Sequence, residues 1–464
     1  MLLGFPDQRP LSAQICLITG CPNVRWIDVP RVGTGEERVN AFFSQVIDAL
    51  TIPLTDLEKQ GGIYNPPPDP RIAFVGTLDD AQEFFQQTTL INNCRNCPIA
   101  QWTDGLPIII PTEENVKQML TGTSRDLQEE ITLPVDVGGT PAGTVVTYYP
   151  NSWKATVEKV AVNAVMAGCK PEYLPVVLAI ASSGLRMPTS NMLWNGWVLV
   201  SGPIAKEIGM NAGQGALNPG NPANVTIGRS HELMIVNLGG AVQGANRFET
   251  AGSPFNGGTA FAEDADALPA GWLGFNEESG YNRNQSVVMV QWSLSSFTGG
   301  QYAPSSFRGL NSGTGGMARR LGVEGVPGKY NFLEYLVPGL WADQFGPRIL
   351  IMHPNMAQSL VDYGFQSKTA VMEWLWNASK IPMSEFKKYG WYDFFTRGGT
   401  VIEPTSGKPY GELADSYMTP AFGAEPDGRG VIVAIGPGDE ICLQLEVGGG
   451  LNWGITAYPV DPWK

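Results

Sequence analysis

Arg348-Ile349-Leu350-Ile351-Met352-His353-Pro354 is the stretch on which the fold turns. Its apolar run is unbroken rather than alternating, which is the pattern of a strand buried on both faces. Helical spacing resumes through Gln358, Leu360 and Val361, and a second helix is expected over 367–378. Further on, Val431-Ile432-Val433-Ala434-Ile435-Gly436 reads as another strand closing on a glycine turn, and upstream Ser286-Val287-Val288-Met289-Val290 reads as a third. Strands alternating with helices predict an α/β fold of mixed, partly parallel sheets flanked by helices, with long Gly/Pro/Asn-rich loops. No fixed-period internal repeat is visible along the chain.

The clearest helix lies over residues 153–167, where Val157, Val160, Ala161, Ala164 and Val165 form one apolar stripe and Lys154, Glu158 and Lys159 mark the wet side. Gly168 ends it as a C′ glycine, and Pro171 restarts a helix at its first position. That next helix is apolar on nearly all sides (Leu174, Val176, Val177, Leu178, Ile180), so it belongs in the interior. Residues 195–228 form a Gly- and Asn-rich loop that enters another helix, with Asn221 as its cap and Pro222 at its start. Thr112 caps a helix opened by Glu113 and Glu114. Ile72–Val75 reads as a short strand, followed by a helix from Leu78.

Residues 1–70 read as a strand at Ile15-Cys16-Leu17-Ile18 and a helix over 35–50, followed by the connector Tyr64-Asn65-Pro66-Pro67-Pro68-Asp69-Pro70. A unit so small is expected to pack on the body or on a neighbouring subunit. Residues 71–345 then form a central α/β domain, and residues 346–464 a C-terminal α/β portion.

Composition narrows the function classes. Charged residues make up 16% of the 464, against roughly 25% in an average soluble domain. With 13 Trp, that low charge predicts extensive subunit contact. The net charge of −14 argues against nucleic acid, whose binding rests on Lys and Arg neutralising phosphates. No window approaches 18 apolar residues, and Met1–Asp7 lacks the basic and apolar regions of a secretory signal. Six cysteines in a chain this long do not make a disulfide framework, so reduced thiols and a cytoplasmic location are expected.

Trp102-Thr103-Asp104-Gly105-Leu106-Pro107, the run from Ala155 to Cys169, and Pro219-Gly220-Asn221-Pro222-Ala223-Asn224 resemble a bacterial group similar to the UGSC-type (seleno)proteins. The likeness lies mainly from about residue 70 onward. That group is named for a selenocysteine- or cysteine-Gly-Ser-Cys motif, so the resemblance implies thiol or selenol redox chemistry. The present chain contains no Cys-Gly-Ser-Cys. On this likeness a partner chain supplies the motif, Cys94 and Cys97 take its place, or the chemistry differs.

Cys169 is the leading candidate for chemistry. It precedes the helix starting at Pro171 and neighbours Lys170, a position that lowers a thiol's pKa, and Glu172 follows three residues on as an acid or base. Its alternative is a small buried hydrophobe in a tight helix corner. Cys94 and Cys97 form a C-x-x-C, a spacing used by redox dithiols and half-zinc sites; with only His231 and His353 and no second C-x-x-C, no metal is expected. His353, at the C-terminal end of its strand, lies where open α/β sheets bind ligands, and Glu263 is an acid with apolar flanks. His231, in a mostly apolar helix, reads chiefly as a structural residue. Asp104, Lys170, Asn221, Asn224 and Arg229 are candidate substrate contacts, the asparagines and arginine as an anion cradle at a helix start. Turn chemistry accounts equally for Asp104, and subunit contact equally for the glycine loop. No G-x-G-x-x-G or Walker pattern is present, so no cofactor is assigned.

Three classes stay open. The first is a thiol-dependent enzyme performing redox or reductive cleavage on a small organic molecule. The second is a non-redox hydrolase or lyase with a Cys nucleophile and a Glu acid/base. The third is a non-catalytic subunit of an oligomeric complex. Expected partners are a small-molecule substrate and further copies of the chain, or a hetero-oligomer with a thiol or selenol partner, with neither nucleic acid nor membrane.

Overall fold

The computed structural model describes residues 1–6, 9–18, 20–62, 70–90, 97–185, 194–243, 247, 258–294, 333, 337, 348–388, 401–403, 405–420, 426–436, 442–446 and 455–464. Among them, secondary structure opens with strand β1 (Leu2–Gly4), helix α1 (Arg9–Ile18), β2 (Trp26–Asp28) and α2 (Gly35–Thr51). Next come α3 (Leu78–Phe85), β3 (Thr88–Leu90), β4 (Pro98–Ala100), α4 (Glu113–Met119), α5 (Val157–Ala167) and α6 (Leu174–Ser182). A first βαββ run follows: β5 (Trp194–Ser201), α7 (Pro203–Glu207), α8 (Pro222–Gly239), β6 (Thr259–Ala262), α9 (Phe275–Glu278) and β7 (Val287–Leu294). A second contains β8 (Arg348–Met352), α10 (Pro354–Asp362), α11 (Lys368–Ala378), β13 (Val431–Val433) and β14 (Cys442–Glu446). Between α11 and β13 lie the short elements β9 (Ile381–Pro382), α12 (Met383–Phe386), β10 (Ile402–Glu403), β11 (Lys408–Pro409) and β12 (Met418–Thr419), and β15 (Tyr458–Pro459) comes last.

The fold is α/β with mixed sheets, and the burial of alternate strand residues stacks it in four layers. One sheet has the order β15-β7-β5-β6 and the other β13-β8-β14. Val198, Val200, Ala260, Ala262, Val288 and Val290 turn to one side, against α5, α6 and α8. Their neighbours Trp197, Leu199, Phe261, Val287 and Met289 turn the other way and meet Ile349, Ile351, Ile432 and Ala434 of the second sheet. Leu350, Met352, Val431 and Val433 then face Met356, Leu360, Val371 and Leu375 of α10 and α11. The period of two in each strand thus loads both faces of both sheets with apolar side chains. This explains the unbroken apolar runs.

The two sheets share one topology. β5 pairs parallel with β6 after a helical crossover and antiparallel with β7 on its other side. β8 likewise pairs parallel with β13 and antiparallel with β14. Even the bond just past the parallel pair recurs: Glu263 N donates to Val200 O at 3.0 Å, and Ala434 N to Met352 O at 3.1 Å. The chain is therefore built on a repeated βαββ unit. The repeat escapes a sequence scan because the crossovers differ in length and in helices: α7 and α8 lie between β5 and β6, whereas α10, α11 and the short elements β9 to β12 lie between β8 and β13.

Several expectations hold in detail. Thr112 caps α4, Gly168 ends α5 in the left-handed region at φ 87°, Asn221 caps α8, and every side chain of α6 is buried. Others need correction. Ile15–Ile18 is the end of helix α1 rather than a strand, since Pro10 fits a first helical turn and short apolar runs suit either state. Ile72–Val75 pairs with no strand among the described residues. Residues 153–156 precede α5 in extended form, with Ala155 O accepting from Ile131 N. The boundary drawn at residue 346 runs through a shared interior, because the two sheets pack face to face and β15 returns to pair with β7. Of the Tyr64–Pro70 connector, residues 64–69 lie outside the described residues.

Candidate functional site

The C-terminal ends of β5, β6, β8 and β13 lie at one edge of the sheet pair, where Asp264 N donates to Val433 O at 2.8 Å and ties the sheets together. Open α/β sheets bind ligands beyond this end of their strands. Glu263 leaves β6 here with its carboxylate enclosed. Oε1 accepts from Lys368 Nζ at 2.6 Å, while Oε2 accepts from Ser201 Oγ at 2.9 Å and from the Phe275 backbone N at 2.6 Å. The side chains of Lys368 and Glu263 are 0% and 1% exposed.

Each partner is placed by a local rule. Ser201 is the last residue of β5, and Phe275 N is a free donor of the first turn of α9. Lys368 is the first residue of α11, behind the cap Ser367, whose hydroxyl accepts from Ala370 N at 3.1 Å. A cation there opposes the helix dipole, so Glu263 offsets an electrostatic misplacement as well as a lost hydration shell. Asn276 braces the far side: its N donates to Ser201 Oγ at 3.2 Å and its Nδ2 to Gln285 O at 2.9 Å. Gly274 is required beside it, because a Cβ would stand 2.6 Å from Asn276 Oδ1.

Glu278, at the end of α9, forms the outer part of the cluster. Burial pushes its half-buried carboxyl above the ordinary range; Lys368 pulls the other way, and Asp427 and Glu263 add to the rise. The carboxylate rests on Gly428, where a Cβ would come within 2.3 Å of it. Next to it Arg429 is fixed by Asp427, with Nη2 to Oδ2 at 2.6 Å, and by the Ile455 carbonyl at 2.8 Å. A carboxylate of fixed orientation, a buried ammonium and a second carboxyl biased toward its protonated form can move protons to and from a bound molecule.

Of the residues singled out in the sequence, Glu263 stands at this centre. His353 stands at the same edge, buried at the end of β8, where Nδ1 accepts from Asn355 N at 3.0 Å and caps α10. The glycine loop reaches the edge through its backbone, with Ile435 N donating to Ala212 O at 2.9 Å. Its asparagines, however, are not an anion cradle. Asn224 Oδ1 accepts from Asn211 N, Asn224 Nδ2 donates to the Asn211 and Ala216 carbonyls, and Asn221 Nδ2 donates to Gly209 O, so the loop consumes their polar atoms. Asp104 and Arg229 likewise consume each other through two bonds of 2.8 and 2.9 Å that clamp the 102–107 turn onto α8.

The thiol expectations change most. Cys169 is buried in the apolar layer of α5, α6 and α8, and burial pushes its thiol up to about 12, outweighing hydrogen bonds with Thr226 and Ser230 that act downward. The expected lowering fails because the Pro171 helix starts as a short 3₁₀ turn (Pro171–Tyr173) and the sulfur points away from it toward α8. Lys170 and Glu172 lie outside, side chains 61% and 54% exposed and 4.0 Å apart. Cys97 is disulfide-bonded and Cys16, Cys21 and Cys169 are in no disulfide, whereas Cys94 lies outside the described residues.

His231 is buried on α8, where desolvation lowers its pKa and Nε2 lies 3.2 Å from Leu185 O, a structural placement. Sequence reasoning passed over Lys368, Ser201, Asn276 and Glu278. Only Lys368 carried a signal: a lysine in the first turn of a helix, where acids are favoured. Among the described residues no group of His, Cys, Asp and Glu is placed to hold a metal ion, and no helix is long and apolar enough to cross a membrane. No protein-family model, no characterised protein and no solved structure matches the chain.

Proposed function

We propose that the protein is an enzyme of the lyase or hydrolase kind that acts on a small molecule by general acid–base chemistry at Glu263 and Lys368. The observation that carries this reading is the 2.6 Å ion pair between two buried side chains at the C-terminal strand edge, the side on which open α/β sheets in general bind ligands. Buried ion pairs return little net stability compared with apolar replacements, so their presence is better explained by chemistry than by folding. Glu263, aimed by Ser201 and Phe275 N, takes a proton from the substrate. Lys368 offsets negative charge that develops beside it, and Glu278 exchanges the proton with solvent. Because the pair is closed to water, substrate enters only when the segment between β6 and α9 moves aside.

The test is proton exchange from small carbonyl and carboxylic acids in D2O, followed by NMR across a compound panel. Exchange found with the natural chain should vanish in Glu263→Gln and survive in Cys169→Ser. Survival in the first, or loss in the second, rejects the reading.

A second reading, thiol–disulfide chemistry at Cys97, is favoured by one observation, the bond that engages this residue. It fits the likeness to the UGSC-type group and the expected cytoplasmic setting, where disulfides are more often catalytic than structural. Differential alkylation through a graded thiol redox buffer tests it: Cys97 should open reversibly at a mild poise, and resistance to all but strong reductant rejects it.

A further inference from the structure

Helix α2 is held together at its ends, and among the described residues nothing buries it. Thr34 Oγ accepts from Glu37 N at 3.3 Å while Glu37 Oε2 accepts from Thr34 N at 2.7 Å, a reciprocal cap. Arg25 closes the other end, Nη1 donating to the Ala49 and Ile52 carbonyls at 2.7 and 2.8 Å. Yet none of the 17 residues of α2 is buried. Its apolar stripe is open: Val39 is 48% exposed, Phe43 55%, Ile47 44% and Leu50 67%. Past the helix end Ile52, Leu54 and Leu57 are exposed as well. The described buried apolar side chains of residues 1–62 are Cys16 and Ile27, far too little to sustain such a unit alone.

We propose that this stripe is the seat of a second copy of the chain, joined through antiparallel α2 helices about a two-fold axis. Three features select a second copy over another occupant. First, the apolar positions Val39, Phe42, Phe43, Val46, Ile47 and Leu50 match themselves when the helix is reversed. Val39 meets the partner's Leu50, Phe43 meets the partner's Val46, and Phe42 meets the partner's Ile47, so a larger side chain faces a smaller one in each layer. An isologous contact needs this self-match, and large-against-small layers fill space without voids.

Second, the antiparallel arrangement holds the Glu36–Glu37 pairs of the two copies at opposite ends and opposes the two helix dipoles; a parallel pair would crowd four carboxylates together. Third, the seven exposed apolar side chains offer on the order of 600 Å² per copy, approaching the roughly 800 Å² per partner of a standard specific interface, with the polar flanks of α2 to supply the remainder.

Sedimentation of the full chain across a micromolar range is the test. The natural chain should run at twice the monomer mass. The pair Phe43→Asp and Ile47→Lys should halve that mass and leave the thermal melting of the body unchanged, because α2 buries no side chain in the single chain. Mixing Phe43→Cys copies with Val46→Cys copies under oxidation should give a covalent heterodimer absent from the oxidised natural chain. A monomeric natural chain, a dimer that survives the double substitution, or failure of the cross-link overturns the proposal; the first of these would leave the stripe to the body of the same chain.

Discussion

Lys368→Met strands the Glu263 carboxylate in the interior. Removing one member of a buried pair costs about 3–5 kcal/mol, because the survivor's lost hydration is no longer offset. Glu263 would keep the bonds from Ser201 Oγ and Phe275 N, so this variant belongs at the lower end, about 3 kcal/mol. Glu263→Leu leaves the Lys368 ammonium with no other hydrogen-bond partner among the described residues, at the dipole end that disfavours it, and belongs near 5 kcal/mol. The double variant carries neither charge. Its cost is chiefly the orphaned Phe275 amide, since Ser201 Oγ keeps Asn276 N as donor and Asn276 Oδ1 as acceptor, about 1–3 kcal/mol. A coupling on the order of 5 kcal/mol should therefore emerge from the double-mutant cycle. Urea unfolding followed by tryptophan fluorescence and circular dichroism measures it. Additive losses, or a Lys368→Met variant within about 0.5 kcal/mol of the natural chain, would refute the claim that these groups share one desolvated site.

Further outcomes are specific. Mass mapping with iodoacetamide near neutral pH should label exposed Cys21 far ahead of Cys169, whose thiolate fraction falls on the order of a thousandfold as its pKa moves from 9.0 to about 12; equal rates would contradict the burial of its sulfur. Because that folded pKa is raised, the thiol's contribution to stability is complete below pH 9.0 and drains away between 9.0 and about 12, so Cys169→Ala should flatten alkaline denaturation in that window. Glu278→Gln should raise the melting temperature at pH 7, with the gain disappearing as pH falls toward 4.5, since a carboxyl raised on folding opposes the folded state only where the unfolded chain is ionised. Gly122→Ala should cost about 3 kcal/mol or prevent folding, because its Cβ would stand 1.8 Å from the rigid Pro171 carbonyl; a near-neutral result would contradict the close approach of the two backbones.

Local signals made the secondary structure legible. A cap, a terminal glycine and an N1 proline marked α5, α6 and α8, and apolar runs marked β5's partner β7, β8 and β13, because those rules operate within a few residues. Where a run is short, as at Ile15–Ile18, strand and helix are locally degenerate and the flanking proline decides. The site was half legible. Glu263 drew notice as an acid among apolar neighbours, but its partner lies 105 residues away and only the stacking of two sheets brings Lys368 to it. Cys169 misled for a related reason: its distance from a helix start can be counted along the chain, but the direction of its sulfur is set by α8, which packs from elsewhere.

The repeated βαββ unit has a consequence for how the molecule can be divided. Lys368, from the crossover of the second unit, completes the acid of the first, and Ala212, from the crossover of the first, caps the strand end of the second through Ile435 N. At the positions related by the shared topology the first unit holds Glu263 and the second Ala434, so the buried acid sits in one half while its cation is on loan from the other. Two fragments cut between residues 294 and 348 would part Glu263 from Lys368 and β7 from its edge strand β15. Co-expressed, they should reassemble into one working body, as the halves of a clasp do.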